Sequence, residues 1–318
     1  MFNPAFDNFW FDRLRGKVIC LLYHRVDDSN HYPFLKVPVI SSEGLEKELG
    51  FLKDKGAVFF TCEQMLNGSF PEPNQVGFSI TFDDCFLDNY TTGLSVLERL
   101  GIKATFFQST DMVEGKSLIW EHALYWFIRN DKSAQDFTVV AYKILAEYPQ
   151  VLRLSGLQLV EFLVNGEDIP FDKIEALIDK VINSLGCRDE LSEIASKIYP
   201  KPADLKRAHQ LGHEIGSHGH RHYRRKIIKR ELFEQELGLS SKIIEGIVGR
   251  KPTAFSYPFN SYLEGDRALC SKYFAQVFTV DKAHITSETD RLSLPRFTWP
   301  GNINNSYRRR RWLLTGTV

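Results

Sequence analysis

The sequence predicts an α/β fold built on a parallel sheet, with a mostly helical insertion at about residues 112–200. Short apolar segments alternate with amphipathic segments of helical spacing on both sides of the insertion, and this alternation is typical of a parallel sheet covered by helices. Two adjacent aspartates follow one apolar segment, and a histidine-rich segment follows another. With 318 residues, the chain is long enough to form one large domain of this class.

The elements before the insertion follow a short N-terminal segment, residues 1–16. The predicted strands there lie at residues 17–23, 57–61, 76–82 and 104–108. Ser41-Ser42-Glu43 precedes a leucine-rich helix that closes at Gly56, as N-cap and C-terminal preferences predict. A second helix, at about 89–100, is expected to stop at Gly101.

Residues 112–200 interrupt this alternation. The helices predicted there lie at about 118–130, 135–148, 172–185 and 189–199. The alternation then resumes with helices at about 203–211, 230–248 and 263–273 and strands near 213–217, 253–257 and 275–280. We therefore expect residues 17–318 to form one domain that contains the insertion.

Two carboxylates, Asp83 and Asp84, come directly after the predicted strand at 76–82. A buried carboxylate is costly unless it has a partner, and neighbouring residues of a strand point to opposite faces. Both acids can therefore serve one site only if the strand ends there and the chain turns. The alternative is an aspartate that only caps the following helix, since Asp is a favoured N-cap residue.

A histidine-rich segment, residues 212–222, holds four of the nine histidines of the chain. His218 and His222 are four residues apart, so one helical turn would place them on the same side. Two imidazoles at this spacing and one carboxylate form a familiar metal site, which leaves coordination positions open for catalysis. The alternative is a solvated loop or a histidine enclosed in the core.

Four segments carry a family resemblance. In chain order they are Leu22-Tyr23-His24-Arg25-Val26, Thr81-Phe82-Asp83-Asp84, Ser217-His218-Gly219-His220-Arg221-His222 and Phe255-Ser256-Tyr257-Pro258-Phe259-Asn260. They resemble the motifs of the polysaccharide deacetylases (the NodB-homology, or carbohydrate esterase family 4, enzymes), in a subgroup with Tyr-Pro. The resemblance implies a distorted (β/α) barrel, and in parallel barrels the active site lies at the C-terminal ends of the strands.

The resemblance also implies a role for each matching residue. Asp84, His218 and His222 would bind a divalent metal ion, with Zn²⁺ favoured, and Asp83 would be the catalytic base. The backbone amide of Phe259 would donate to the oxyanion. The implied reaction is hydrolysis of an N-acetyl or other small N-acyl group on a sugar, with the metal acting on water and carbonyl.

The sequence departs from the family pattern at three places. Cys85 stands where glycine is usual, either as an added metal ligand or as a small buried side chain. Ser256 stands where many members have an arginine, and Arg296 is the candidate for that cation by resemblance to the subgroup. Residues 292–299 lack the histidine that normally acts as general acid, so we expect His24 to line the pocket as proton donor or substrate contact.

Substrate contacts are predicted for Tyr257, Pro258, Trp120 and Trp299. The first two belong to the Tyr-Pro motif, and the two tryptophans open the insertion and follow the last strand. Aromatic faces stack on sugar rings, although aromatic side chains at helix starts are also common in cores. The insertion leaves the strand-end side of the sheet, where it could wall the pocket.

Composition limits the partners and the compartment. Basic and acidic residues are equal at 40 each, and this balance does not indicate a nucleic-acid partner, which would need a basic face. Five dispersed cysteines suit a reducing compartment, and the first residues lack the apolar core of a signal peptide, so a cytoplasmic location is expected. The aromatic N-terminus and Arg308-Arg309-Arg310-Arg311 could make peripheral contact with the inner face of a membrane.

These observations favour an N-deacetylase that acts on an intracellular intermediate of surface-polysaccharide biosynthesis, such as a nucleotide- or lipid-linked sugar. A glycoside hydrolase would pair Asp83 or Asp84 with another acid, which leaves the histidine spacing unexplained. Two histidines and one carboxylate also form the iron site of non-haem oxygenases. A catalytically silent carbohydrate-binding relative would fit the missing general acid, although Asp83 is present.

Overall fold

The computed structural model describes residues 12–29 and 31–298, and the strands within these ranges follow the predicted order. They are β1 (Val18–Tyr23), β2 (Arg25–Val26), β3 (Val39–Ile40), β4 (Val58–Phe59), β5 (Gly77–Phe82), β6 (Thr105–Gln108), β7 (Glu214–Ser217), β8 (Ala254–Ser256), β9 (Gln276–Phe278) and β10 (Phe297–Thr298). Each strand predicted from the sequence is present, with bounds that differ by at most two residues.

Eight of these strands form one parallel sheet in the order β10-β1-β5-β6-β7-β8-β9, with β4 alongside the first half of β5. The remaining two strands, β2 and β3, pair with each other. A bridge between Phe278 and Leu294 brings the segment before β10 against β9, so the sheet curls back on itself. The prediction of a distorted (β/α) barrel is confirmed.

The strands are buried on both faces, which explains why they are apolar runs rather than alternating patterns. In β1, Val18 and Cys20 belong to the barrel interior. Ile19 and Leu21 point outward and pack with leucines of the surrounding helices. The loop after each strand is therefore anchored to an element that is buried on both faces.

The helices pack against the sheet and against one another. They are α1 (Ser42–Asp54), α2 (Cys62–Leu66), α3 (Leu94–Leu100), α4 (Thr110–Glu114), α5 (Trp120–Phe127), α6 (Asp131–Ile144), α7 (Gly156–Asn165), α8 (Phe171–Leu185), α9 (Arg188–Ile198), α10 (Pro202–Gln210), α11 (Arg230–Val248) and α12 (Asp266–Cys270). The long helix α11 has the bounds that its apolar spacing predicts. The helix predicted at 89–100 begins with a π-helical turn, Asn89–Gly93, before α3.

The insertion contains a helix that the sequence analysis missed. Four helices were predicted between 118 and 199, and α7 is a fifth. It has only ten residues and a glycine at each end, so its apolar period is short and its flanks are typical of a loop. Leu159 of α7 and Phe171 of α8 belong to the same apolar cluster as Phe255 and Tyr257, so the insertion packs directly on the barrel.

Among the described residues, no helix combines the length and the apolar character needed to cross a bilayer. The N-terminal aromatic segment, Trp299 and the four consecutive arginines lie outside the described residues. The membrane contact and the substrate role that were predicted for them therefore stay predictions.

Candidate active site

The two aspartates lie at a tight turn that ends β5. The strand stops at Phe82, and Asp84 and Cys85 both have left-handed backbone conformations, with φ of 63° and 60°. This conformation costs an ordinary residue roughly 1–2 kcal/mol, which accounts for the glycine usual at the position of Cys85. The turn brings both carboxylates, which are buried, to the wall of one cavity.

Cys85 faces away from the other ligand candidates. Its Sγ donates to the backbone carbonyl of Phe82 at 3.4 Å. Burial, followed by the charges of Asp83 and Asp84, raises the pKa of this thiol well above its ordinary value. A thiol that keeps its proton is a poor ligand, so the structure supports a small buried side chain at this position.

Asp84, His218 and His222 each bring one ligand atom to a common point. These atoms lie within 4.8 Å of one another, and all three side chains are buried. Oδ1 of Asp84 is 3.4 Å from Nε2 of His218 and 3.0 Å from Nε2 of His222. One oxygen and two nitrogens match the donors that zinc prefers, and they leave further coordination positions open.

The two imidazoles converge through a loop, so the predicted helical turn between them is wrong. His218 follows β7 directly, and the next residues have no helical structure. Gly219 and His222 have positive φ values of 77° and 55°. The carboxylate of Glu236, on α11, accepts the backbone N–H groups of the two residues before His222, at 2.9 and 2.7 Å. The loop therefore places the two imidazoles on the same side, as a helical turn was expected to do.

Hydrogen bonds at the far ring nitrogens aim both imidazoles at Asp84. Nδ1 of His218 lies 2.8 Å from the carbonyl oxygen of Ser256, and Nδ1 of His222 pairs with a carboxylate oxygen of Glu121. A ring nitrogen that faces an acceptor carries the proton, so each Nε2 is left as the metal-binding atom. Such outer partners are a common feature of histidine metal sites.

The charges around His222 call for a cation. Burial alone would lower the pKa of its imidazole, but the flanking carboxylates of Glu121 and Asp84 raise that pKa to about 10. Two carboxylates on either side of one ring require a positive charge on the ring or beside it. The donor set and its surroundings therefore fit a divalent metal ion.

Asp83 is held in a buried bidentate pair with Arg296. The two terminal nitrogens of Arg296 donate to the two carboxylate oxygens at 2.7 Å each. The Ser256 hydroxyl donates to Asp83 at 3.1 Å and accepts from Arg296 at 2.6 Å. Burial alone would raise the pKa of Asp83, but the charge of Arg296 outweighs it and holds the pKa below the ordinary value. Asp83 is therefore ionised and can accept a proton.

A cavity of about 420 Å³ opens at the C-terminal strand ends. Seven of the residues predicted for the site line it: His24, Asp83, Asp84, His218, His222, Tyr257 and Phe259. Arg296 lies behind Asp83 in the barrel interior, with its guanidinium over the ring of Phe107. Pro258 is buried and lies next to the lining residues of its motif.

Phe259 lies in a short 3₁₀ turn, Pro258–Asn260, in which its own φ is +57°. Its ring packs on the imidazole of His222, with 4.7 Å between the ring centroids. The side chain of Asn260 accepts the backbone N–H of Val280 at 2.8 Å, which ties the turn to the end of β9. The oxyanion role of the Phe259 amide stays a prediction.

Trp120 lies behind His222 rather than on the cavity wall. Its indole N–H donates to the backbone carbonyl of His222 at 3.0 Å, and its ring packs against Phe171 and Phe259. The side chain is only 6% exposed, so its faces are covered by protein. This position supports bracing of the loop and gives no support to the predicted stacking on a sugar.

His24 follows β1 and lines the cavity, as expected from the sequence. Its Nδ1 is buried and has no hydrogen-bond partner within residues 12–29 and 31–298. Burial lowers the pKa of this imidazole below its ordinary value, so the neutral form is favoured. The choice between proton donor and substrate contact stays open.

Five cavity residues from the insertion were not predicted from the sequence: Tyr125, Val164, Asn165, Glu121 and His122. The last two are the acid and the imidazole among them. Both lie in the first turn of α5, and both are buried. The signal was available, because two adjacent polar residues begin a helix that is otherwise almost entirely apolar. Their partners, however, are 101 and 77 residues further along the chain.

A family model described as "Polysaccharide deacetylase" matches residues 72–125 and 168–274, which make up about half of the chain. The chain belongs to the polysaccharide deacetylase family. Residues 126–167, between the two matched ranges, lie within the helical insertion, whereas both aspartates and the histidine loop lie inside the matched ranges.

Individual relatives agree with this family and with the observed fold. YxkH of Bacillus subtilis (strain 168), whose name places it among polysaccharide deacetylases, is 26% identical over 137 residues, 42% of this chain and 47% of that protein. The match thus spans about half the length of this relative. The Streptococcus pyogenes deacetylase PplD has a TM-score of 0.59 at 14% identity, with 91% of this chain and 95% of that one covered. IcaB from Ammonifex degensii has a TM-score of 0.58 at 16% identity, with 94% and 98% covered.

Glu121→Gln is expected to weaken zinc binding by roughly 10- to 100-fold, the usual effect of losing an outer partner of a histidine ligand. The amide has the size of the carboxylate but lacks the charge that orients His222. Competition with a chelator of known affinity measures the change. Glu147→Gln is the matched control, because Glu147 is an exposed residue of the same insertion paired with Lys173. Equal zinc affinities in the two variants would refute the orienting role.

Proposed function

We propose that this deacetylase is a metal-dependent hydrolase that removes an N-acetyl or other small N-acyl group from a sugar. The observation that carries the proposal is the convergence of Asp84, His218 and His222 beside an ionised Asp83 in one cavity. A carboxylate base next to a divalent cation is the arrangement that amide hydrolysis needs.

Each site residue would have its own role in the proposed hydrolysis. Asp84, His218 and His222 would hold the cation, most simply Zn²⁺, which supplies Lewis acidity beside the acyl carbonyl when it is bound. Asp83 would accept the proton of the attacking water, and Arg296 keeps this carboxylate ionised and fixed in orientation. The backbone amide of Phe259 would donate to the developing oxyanion.

Two similar structures favour an acetyl group. The Streptococcus pyogenes deacetylase PplD was solved in complex with acetate. Another similar structure is a de-N-acetylase from Aggregatibacter actinomycetemcomitans, with a TM-score of 0.55 at 13% identity. A small acyl group also suits a cavity of about 420 Å³ that must admit at least one sugar ring as well.

The glycoside-hydrolase alternative receives less support from the site. It needs one carboxylic acid that keeps its proton and a second carboxylate across the scissile bond. Each carboxylate that lines the cavity already has a partner: Asp83 has Arg296, Asp84 has the imidazoles, and Glu121 has His222. A silent carbohydrate-binding relative would not need the bidentate arginine on Asp83.

We also propose a cytoplasmic location and a nucleotide- or lipid-linked sugar intermediate of surface-polysaccharide biosynthesis as substrate. All five cysteines are buried and free, as in proteins of reducing compartments. Recovery of the protein in the periplasm or medium after cell fractionation would contradict the location.

The function is tested with zinc-loaded protein and a panel of N-acetylated sugars. The panel contains UDP-N-acetylglucosamine, N-acetylglucosamine pentamer and a polyprenyl-linked N-acetylglucosamine, and released acetate and formate are both measured, the latter with N-formylated analogues. We expect release from at least one compound and its loss in His218→Ala. Absence of release throughout, with zinc bound, would favour the binding-protein alternative.

A further inference from the structure

His122 is a buried histidine of the insertion that lines the active-site cavity and has no part in the mechanism above. It is 2% exposed and follows Glu121 in the first turn of α5. Its ring packs against Phe86, with 5.2 Å between the centroids. The imidazole is therefore held in place from one face while it remains part of the cavity wall.

The hydrogen bonds of Tyr199 fix the tautomer of this imidazole. The Tyr199 hydroxyl accepts the backbone N–H of Ile119 at 3.1 Å and lies 2.7 Å from Nδ1 of His122. A tyrosine hydroxyl has one hydrogen to donate, and Nδ1 of His122 is the acceptor within hydrogen-bond distance. Nδ1 is therefore unprotonated, and the ring proton of the neutral imidazole is on Nε2.

Nε2 of His122 has no hydrogen-bond partner among the described residues, and it is buried. The two ring nitrogens of an imidazole point in nearly opposite directions, so Nε2 points away from Tyr199. A buried donor without a partner costs roughly 1–3 kcal/mol, and such groups in native proteins call for an explanation. A ligand that enters the cavity would supply the missing acceptor.

We propose that Nε2–H of His122 is a fixed hydrogen-bond donor to an oxygen atom of the bound N-acyl sugar. The inference rests on the proposed function and deepens it, because it assigns a substrate contact to the helical insertion. The donor is ready before the substrate binds, since Tyr199 sets the tautomer and Phe86 holds the ring.

His122 acts as a hydrogen-bond donor and does not transfer a proton. Its second nitrogen is occupied by the Tyr199 hydroxyl, so the ring cannot take up a proton there as it releases one from Nε2. Burial, the largest influence, lowers the pKa of this imidazole to about 4, so the charged form is rare at neutral pH. These two features distinguish it from the general acid that the family motif normally supplies.

Two substitutions separate the roles of His122. His122→Leu removes the donor at similar volume and is expected to lower kcat/KM roughly 10- to 100-fold. His122→Gln can place an amide N–H near the position of Nε2 but cannot exchange a proton, so it is expected to stay within about threefold of the wild type. Zinc content is measured for both and should equal that of the wild type, because His122 is outside the ligand set.

Two results with active wild-type protein would overturn the proposal. Turnover of His122→Leu at the wild-type level would exclude a substrate contact. An equal loss in His122→Gln and His122→Leu would exclude a donor role and favour proton transfer.

A measurement without turnover keeps this test separate from that of the proposed function. Nuclear magnetic resonance of the ¹⁵N-histidine-labelled protein reads the tautomer directly, with His122→Gln used to assign the signal. We expect the Nε2–H form in the wild type and a mixture of tautomers in Tyr199→Phe. An Nδ1–H form in the wild type would overturn the inference, even if no acetate release is ever found.

Discussion

Asp83→Asn is expected to lower kcat by roughly 10²- to 10⁴-fold, the range for loss of a general base. The asparagine side chain has the same shape as the carboxylate but cannot take a proton from water. Its oxygen can still accept from one terminal nitrogen of Arg296, but its amide nitrogen then faces the second one, so the folded fraction of the variant is measured alongside its turnover. Zinc content should not fall, because Asp84, and not Asp83, is the carboxylate of the proposed metal site. Acetate release at saturating substrate, together with metal analysis, measures both quantities.

Asp88→Asn is the matched control for this variant. Asp88 is also an aspartate paired with an arginine, since its carboxylate accepts from Arg25 at 2.8 Å. Asp88 does not line the active-site cavity, so the kcat of Asp88→Asn should stay close to that of the wild type. Turnover of Asp83→Asn within a few-fold of this control would exclude Asp83 as the base.

Arg296→Met is expected to lower the free energy of unfolding by about 3–5 kcal/mol at neutral pH, because it leaves the Asp83 carboxylate buried without its cation. Arg296 is fully buried, and methionine fills much of its apolar volume. Urea unfolding measures the change. Arg99→Met is the control, since Arg99 pairs with Glu46 at the surface and its loss should change stability little.

The double variant Asp83→Asn with Arg296→Met should recover much of the stability that Arg296→Met loses. The double variant has no buried carboxylate without a cation, so the effects of the two substitutions on the free energy of unfolding should be far from additive. Additive losses would show that the two side chains do not depend on each other.

The stabilisation by the Asp83–Arg296 pair is expected to be larger at neutral pH than in acid. The pKa of Asp83 in the folded protein lies below its ordinary value, so the unfolded chain binds this proton more tightly. The stabilisation is therefore complete above the ordinary aspartate pKa, about 4, and it is lost as the pH falls through the lower folded pKa. The stability gap between wild type and Arg296→Met should be widest at neutral pH and narrow in acid.

Local sequence patterns were enough to predict a parallel sheet with helices, and the family resemblance added the barrel. Strands such as β1 and helices such as α11 have burial patterns that repeat over their own length, and these patterns are visible in the sequence. Helix α7 was missed because its ten residues between two glycines give too short a period. The left-handed backbone of Asp84 was not predictable either, because the surrounding fold, and not residue preference, imposes it.

The candidate site could be predicted only where a motif names the residues. Both aspartates and His218 and His222 were found in this way, and Arg296 was proposed from a subgroup resemblance. The contacts that orient these residues join distant parts of the chain: Arg296 meets Asp83 across 213 residues, and Glu121 meets His222 across 101. Such pairs leave no periodic signal, so the partners of Glu121 and His122 are known only from the folded chain.

One divalent cation is proposed to bind between Asp84, His218 and His222. Anomalous diffraction at the zinc absorption edge, from crystals grown with stoichiometric zinc, locates such an ion. We expect one strong peak about 2.0–2.2 Å from Oδ1 of Asp84 and from Nε2 of each histidine. An intact fold with no peak at this point, or with zinc bound only elsewhere, would contradict this proposal.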